Sequence, residues 1–259
     1  MEKINRRAGY NWAIVALFTA FAMSIATQFY VANASDPSPL QDFCVEAHHH
    51  DLNSGVYVNG KYCKNEDLVT TNDFVYKGFD KPGDTNNTQG AKATLIDINK
   101  FAAVNTLGVS IARVDFGPYG LNTPHFHPLG SEIFAVLEGT LYAGFVTTKN
   151  KLYDTVLKKG DIIVFPQGLI HFQLNLGRTK AFAVASFGSQ NPGRVNIADG
   201  VFGTRPRILG DVLTKGFQVD ETVIERLRAQ FMSKNLSTNT GRSILKLLAQ
   251  DYLAEDSSY

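Results

Sequence analysis

The chain has 259 residues, 44% of them hydrophobic and 19% charged, with a formal net charge of +1. Such a composition excludes an intrinsically disordered chain and is ample for a buried core. Basic and acidic residues balance, so no cationic field argues for nucleic acid as a partner.

The chain opens with a basic start (Lys3, Arg6, Arg7), an apolar core from Ala13 to Ala26, and the small-residue pattern Ala32-Asn33-Ala34. The apolar run falls short of the roughly 20 residues a spanning helix needs. Residues 1–34 therefore read as a secretory signal cleaved after Ala34, leaving a mature chain without a membrane anchor. Cleavage removes three basic residues and one acidic residue, which takes the net charge from +1 to −1.

An N-terminal segment follows over 35–91. Cys44 and Cys63 are the only cysteines, and in an oxidising compartment they are expected to form one disulfide. Closing a loop of about 20 residues would stabilise the fold by about 3 kcal/mol. The tract His48-His49-His50 inside that loop reads as solvated. KGFDKPGDTNNTQG (77–90) is rich in turn residues and reads as an exposed loop. Asn86 within it, and Asn235 further on, begin N-glycosylation sequons.

From about 92 to 204, short β-branched and aromatic runs alternate with glycine: GVSIARVDF (108–116), EIFAVLEGTLYAGFV (132–146), GDIIVFP (160–166) and KAFAVASFG (180–188). This spacing predicts a mainly β chain, an antiparallel sandwich or barrel. Lys159-Gly160-Asp161 reads as the turn before a strand. Beyond 205 the pattern becomes helical. DETVIERLRAQFMSK (220–234) has Asp220 as its N-cap and Val223, Ile224, Leu227 and Phe231 along one face, and 243–256 repeats the pattern. This helical region, 205–259, is expected to pack outside the barrel or against another subunit.

The stretch PHFHPLGSE (124–132) carries the chemistry. On a strand, residues i and i+2 point the same way, so His125 and His127 project together. Pro128 and Gly130 allow a turn, which lets the Glu132 carboxylate approach the same point. A second stretch, GDIIVFPQGLIHFQLN (160–175), runs through Pro166 and Gly168 and brings His171 on a returning strand. Three imidazoles and a carboxylate without a thiolate suit a borderline-to-hard divalent ion, and ligand type alone leaves Mn, Fe, Zn, Ni and Cu open.

The set Gly120, His125, His127, Glu132 and Gly139, with Gly160, Pro166, Gly168, His171 and Asn175, resembles the two boxes of the cupin superfamily. GVSIARVDFGPYGLNTPHFHPLGSEI, SQNPGRVNIADGVFG, LQDFCV and KGFQVDETV narrow the resemblance to the germin-like proteins of plants, over most of 39–232. It implies a single jelly-roll cupin barrel with C-terminal helices, and Mn(II) held by His125, His127, Glu132 and His171. It also implies a homo-oligomer, a hexamer built as a trimer of dimers, in the apoplast or cell wall, with a role in defence.

The activities associated with germins are superoxide dismutation and oxalate oxidation. Asn122 and Gln173 match amide positions of the oxalate-oxidising germins, whereas Ala112 stands where those enzymes carry an asparagine. One lost donor to a charged ligand costs about 1.5–3 kcal/mol. Superoxide is thus the expected anion and oxalate the weaker candidate. The competing reading is a non-enzymatic cell-wall or ligand-binding protein stabilised by its metal.

Overall fold

β-Branched and aromatic side chains fit the pleated, half-buried surface of a sheet, and the runs between 91 and 196 pair accordingly. The computed structural model describes residues 42–47, 56–58 and 60–232. The signal segment 1–34, the tract His48–His50, Asn235 and the helical pattern at 243–256 lie outside the described residues.

Among the described residues the strands are β1 (Tyr57–Val58), β2 (Lys61–Tyr62), β3 (Ala91–Ile96), β4 (Ser110–Phe116), β5 (Leu121–Phe126) and β6 (Glu132–Glu138). They continue with β7 (Thr140–Val146), β8 (Leu152–Lys158), β9 (Ile162–Phe165), β10 (Ile170–Asn175), β11 (Ala181–Phe187) and β12 (Val195–Asn196). Three helices follow, α1 (Ile197–Phe202), α2 (Gly210–Phe217) and α3 (Glu221–Met232).

The strands β12-β5-β10-β7-β8 form one antiparallel sheet and β3-β4-β11-β6-β9 the other, while β1 and β2 make a separate hairpin. The two sheets enclose a core in which Phe116, Phe134 and Phe165 are each at most 1% exposed, packed with Ala112, Ala143, Ala183 and Ala185. Small residues among the phenylalanines let the inner faces interdigitate at interior density. This is the jelly-roll expected from the sequence, with its helices C-terminal to the strands.

Turn chemistry sets the strand boundaries. The run 132–146 is split by Gly139, whose φ of +88° is a left-handed conformation natural to glycine. Lys159-Gly160-Asp161 is the β8–β9 turn, where the Asp161 carboxylate accepts from the Lys158 amide at 2.7 Å. Cys44 and Cys63 form a disulfide, both sulfurs buried in the N-terminal segment.

Two details differ from the sequence expectation. Residues 77–90 are not simply an exposed loop. The Gly83 amide donates to Asp115 Oδ2 at 2.8 Å, and Gly90 is buried, its carbonyl accepting from Gly117. In α3, Ile224 is wholly buried but Val223 is 38% exposed. At about 100° per residue, Ile224, Arg228 and Phe231 cluster on one side and Val223 falls at its edge. Arg228 is buried instead, donating to the Ile208 carbonyl and pairing with Glu225.

The end of the 77–90 segment crosses the start of β5 with no room to spare. A Cβ added at Gly120 would sit 2.2 Å from the Gly90 carbonyl oxygen, a backbone atom. Gly120→Ala should therefore destabilise the fold by about 1–3 kcal/mol, the usual cost of overpacking. Denaturant unfolding checks this, and a stability equal to wild type would show that the crossing can open.

Candidate metal centre

Four side chains from both sheets meet between them. His125 lies on β5, His127 one residue beyond its end, Glu132 at the start of β6 and His171 on β10. All four are buried, and one ligating atom from each falls within 4.8 Å of the others.

A bulge makes this possible. Opposite β10, Asn122 pairs with Gln173 and His125 pairs with His171, so Thr123 and Pro124 together oppose Phe172. Proline has no amide to donate and is tolerated where a ladder bond is missing. The extra residue reverses the alternation, which brings Asn122 and His125 to the same buried face although they are three positions apart.

Each imidazole is oriented by its far nitrogen. His125 Nδ1 donates to the Thr123 carbonyl at 2.7 Å, His171 Nδ1 to the Leu169 carbonyl at 2.8 Å, and His127 Nδ1 to the Gly193 carbonyl. A carbonyl only accepts, so the proton of each neutral ring resides on Nδ1 and the Nε2 lone pair faces inward. The His171 ring also stacks on Phe165, with centroids 4.5 Å apart, and His127 meets the Phe187 ring at 4.7 Å.

The donor set fits a cation. Glu132 Oε2 lies 3.2 Å from His127 Nε2 and 3.2 Å from His171 Nε2. With Nδ1 protonated these are acceptors facing an acceptor, and a positive charge between them relieves the repulsion. Three imidazole nitrogens and one carboxylate oxygen are the natural ligands of a divalent transition metal.

Two of the four groups have strongly shifted proton affinities in the metal-free protein. Burial raises the Glu132 carboxyl, but hydrogen bonds from His127 and His171, with their charge, outweigh it and hold the group down at about 2. Burial lowers His125 to about 2, helped by the charges of Arg194 and His171 and opposed by its bond to Thr123 and by Glu132.

Around the ligands lies a polar chain. Asn122 Nδ2 donates to Gln173 Oε1 at 2.6 Å, and Gln173 Nε2 is buried without a protein partner. A cavity of about 90 Å³ opens beside the ligands, and Ala112 and Asn122 form part of its wall. Arg194 also lines it, donating from Nη2 to Asn122 Oδ1 at 2.9 Å. Sequence reasoning did not single out Arg194. It lies 72 positions from Asn122 in a stretch quoted only for its family likeness, and no local pattern marks it.

Comparisons with known proteins agree with this geometry. The cupin family matches residues 77–225. Germin-like protein 8-2 of Oryza sativa subsp. japonica is 53% identical over 218 residues, 83% of this chain and 97% of that protein. Germin-like protein subfamily 1 member 7 of Arabidopsis thaliana is 48% identical over 217 residues, 83% of this chain and 93% of that protein. The structure of a recombinant oxalate oxidase in complex with glycolate has a TM-score of 0.72 and 41% identity, covering 78% of this chain and 100% of that one.

The protonation pattern makes the metal-free protein acid-sensitive. Unfolded, His125 takes up a proton near its ordinary 6.5, whereas in the folded protein it does so only at about 2, so stability falls as pH drops below 6.5. Glu132 contributes stability that is complete above its ordinary 4.5 and is lost as pH falls through about 2. Both act in the same direction. The melting temperature of metal-free protein should decline from pH 7 towards pH 3, and His125→Gln should flatten the upper part of that decline. Equal slopes in the two proteins would show that His125 is not the group responsible.

Proposed function

The chain belongs to the germin-like proteins of the cupin family, and on that premise we propose that it is a secreted manganese protein of the plant cell wall with superoxide dismutase-type activity. The observation that carries this reading is the buried set His125, His127, Glu132 and His171 beside a cavity of only about 90 Å³. Manganese, chosen on family grounds, would supply a cation able to pass one electron back and forth at that point. Its 2+ charge against one carboxylate leaves the centre at about +1, poorly screened in an apolar barrel and attractive to a small anion.

The protein's own residues do the rest. The Nδ1 bonds to Thr123, Leu169 and Gly193 hold the rings in one orientation, so little reorganisation accompanies a change of charge at their centre. Phe165 and Phe187 shield two of the rings. Asn122 and Gln173 add amide dipoles, and Gln173 Nε2 remains a free donor at the ligand end of β10.

Oxalate is the poorer fit. Ala112 presents a methyl group to the cavity where a donor would serve a dicarboxylate. The oxalate oxidase relative shares the fold at 41% identity, but its activity carries over only if Asn122 and Gln173 suffice.

Secretion is supported by the Cys44–Cys63 disulfide and by exposed Asn86 as a glycosylation site. Among the described residues no helix is long and apolar enough to cross a membrane. Self-association into a hexamer is supported by the apolar outer face of β6 and β9, where Ile133, Leu137, Ile162 and Val164 are exposed. In that assembly α3 serves as a clasp.

The test is superoxide dismutation and oxalate-dependent peroxide release by secreted, manganese-loaded protein, with His171→Ala as control. Dismutation should be measurable and should vanish in His171→Ala together with the bound metal. Ala112→Asn should raise oxalate turnover from a low base. Strong oxalate turnover by the wild type would overturn the argument from Ala112, and metal binding with neither activity would favour a purely structural or binding role. Ile162→Asp should lower the oligomer mass read by light scattering.

A further inference from the structure

We propose that Arg194 is the anion-recognition residue of this centre, standing where the cavity beside the ligands meets solvent and presenting its guanidinium to a small oxyanion on its way to the metal. The proposal rests on the reading of the cluster as a metal centre that receives an anion.

Position comes first. Arg194 lines the cavity of about 90 Å³ that contains His125, His127 and Glu132. It also lines a larger neighbouring cavity of about 270 Å³, with Gln89, Lys92, Asn122, Asn196 and Asp199. Ala93, Asn122 and Arg194 are common to both walls, so the guanidinium stands at their junction. The residue as a whole is exposed, while its inner end reaches Asn122. Lys92 and Asp199, of opposite charge, both line the outer cavity.

Bonding comes second. Arg194 Nε donates to Asn196 Oδ1 at 2.7 Å and Nη2 to Asn122 Oδ1 at 2.9 Å. A guanidinium carries about five N–H groups and no acceptor, so donors remain for a planar oxyanion, the ligand that this group matches best.

The absence of an acceptor also fixes the neighbouring amides. Asn122 must turn its oxygen to Arg194, which leaves its Nδ2 to donate to Gln173 Oε1. Gln173 is thereby left with Nε2 as a buried donor without a partner. One arginine thus sets the orientation of both amides and leaves one buried donor, Gln173 Nε2, over.

Formate, a planar monoanion small enough for the inner cavity, is the probe. Calorimetric titration is made on manganese-loaded and metal-free protein, with metal content measured alongside, for wild type, Arg194→Gln and Arg194→Lys. Arg194→Gln should bind formate about tenfold more weakly, the loss expected for one charge-assisted hydrogen bond. Manganese content should stay unchanged, and Arg194→Lys should recover part of the affinity. Equal affinity in wild type and Arg194→Gln at equal manganese content would overturn the proposal, as would a wild type that binds no formate in either form. A wild type that holds no manganese yet binds formate through Arg194 would sink the manganese reading and leave the anion site standing.

Discussion

A buried carboxylate ringed by imidazole lone pairs is unfavourable unless a positive charge sits among them, and much of this molecule is arranged around that constraint. Glu132 is 3% exposed and lies 3.2 Å from two histidine nitrogens. In a medium of low dielectric, mispaired polar groups cost far more than they do in water. The three Nδ1–carbonyl bonds remove the easy escape, in which a ring would turn over and offer Glu132 a proton from its other nitrogen. What remains is a site that is completed by a cation among its four side chains.

The barrel supplies the rigidity this needs. Phe134 and Phe165 fill the space between the sheets, and Phe165 continues into the stack on His171, so the apolar core and the metal centre share a wall. At the other side β12 pairs with β5 through Asn196 opposite His125. That short strand places Gly193 under His127 and Arg194 against Asn122. The polar chain Arg194–Asn122–Gln173 is thus built on the same strands as the ligands. A chain of hydrogen bonds that begins at a fixed positive charge is polarised towards its far end.

Much of the architecture was legible in the sequence, for local reasons. The helical pattern of 220–234 marked α3, whereas the single run read over 132–146 is two strands, β6 and β7, divided at Gly139. Val223 was misplaced because periodicity alone leaves the edge of an apolar stripe undefined. Arg228, a charged residue on the buried side, can be recognised only once the Ile208 carbonyl is seen beside it. The tie between 77–90 and the strands was also hidden, since turn-rich composition does not reveal which amides find partners such as Asp115.

The sequence by itself determined the chemical character of the centre. Residue types are explicit, and a strand period of two already places His125 and His127 on one side. It also determined a β fold punctuated by glycine and carried the motifs of the family. Tertiary structure decided what depends on pairing between distant segments. The bulge at Thr123 and Pro124 is a property of β5 against β10, and only through it does Asn122 share the face of His125. The partner of His127 lies 66 positions away and that of Asn122 lies 72 positions away. No local period encodes such contacts, because they arise from the register in which strands meet.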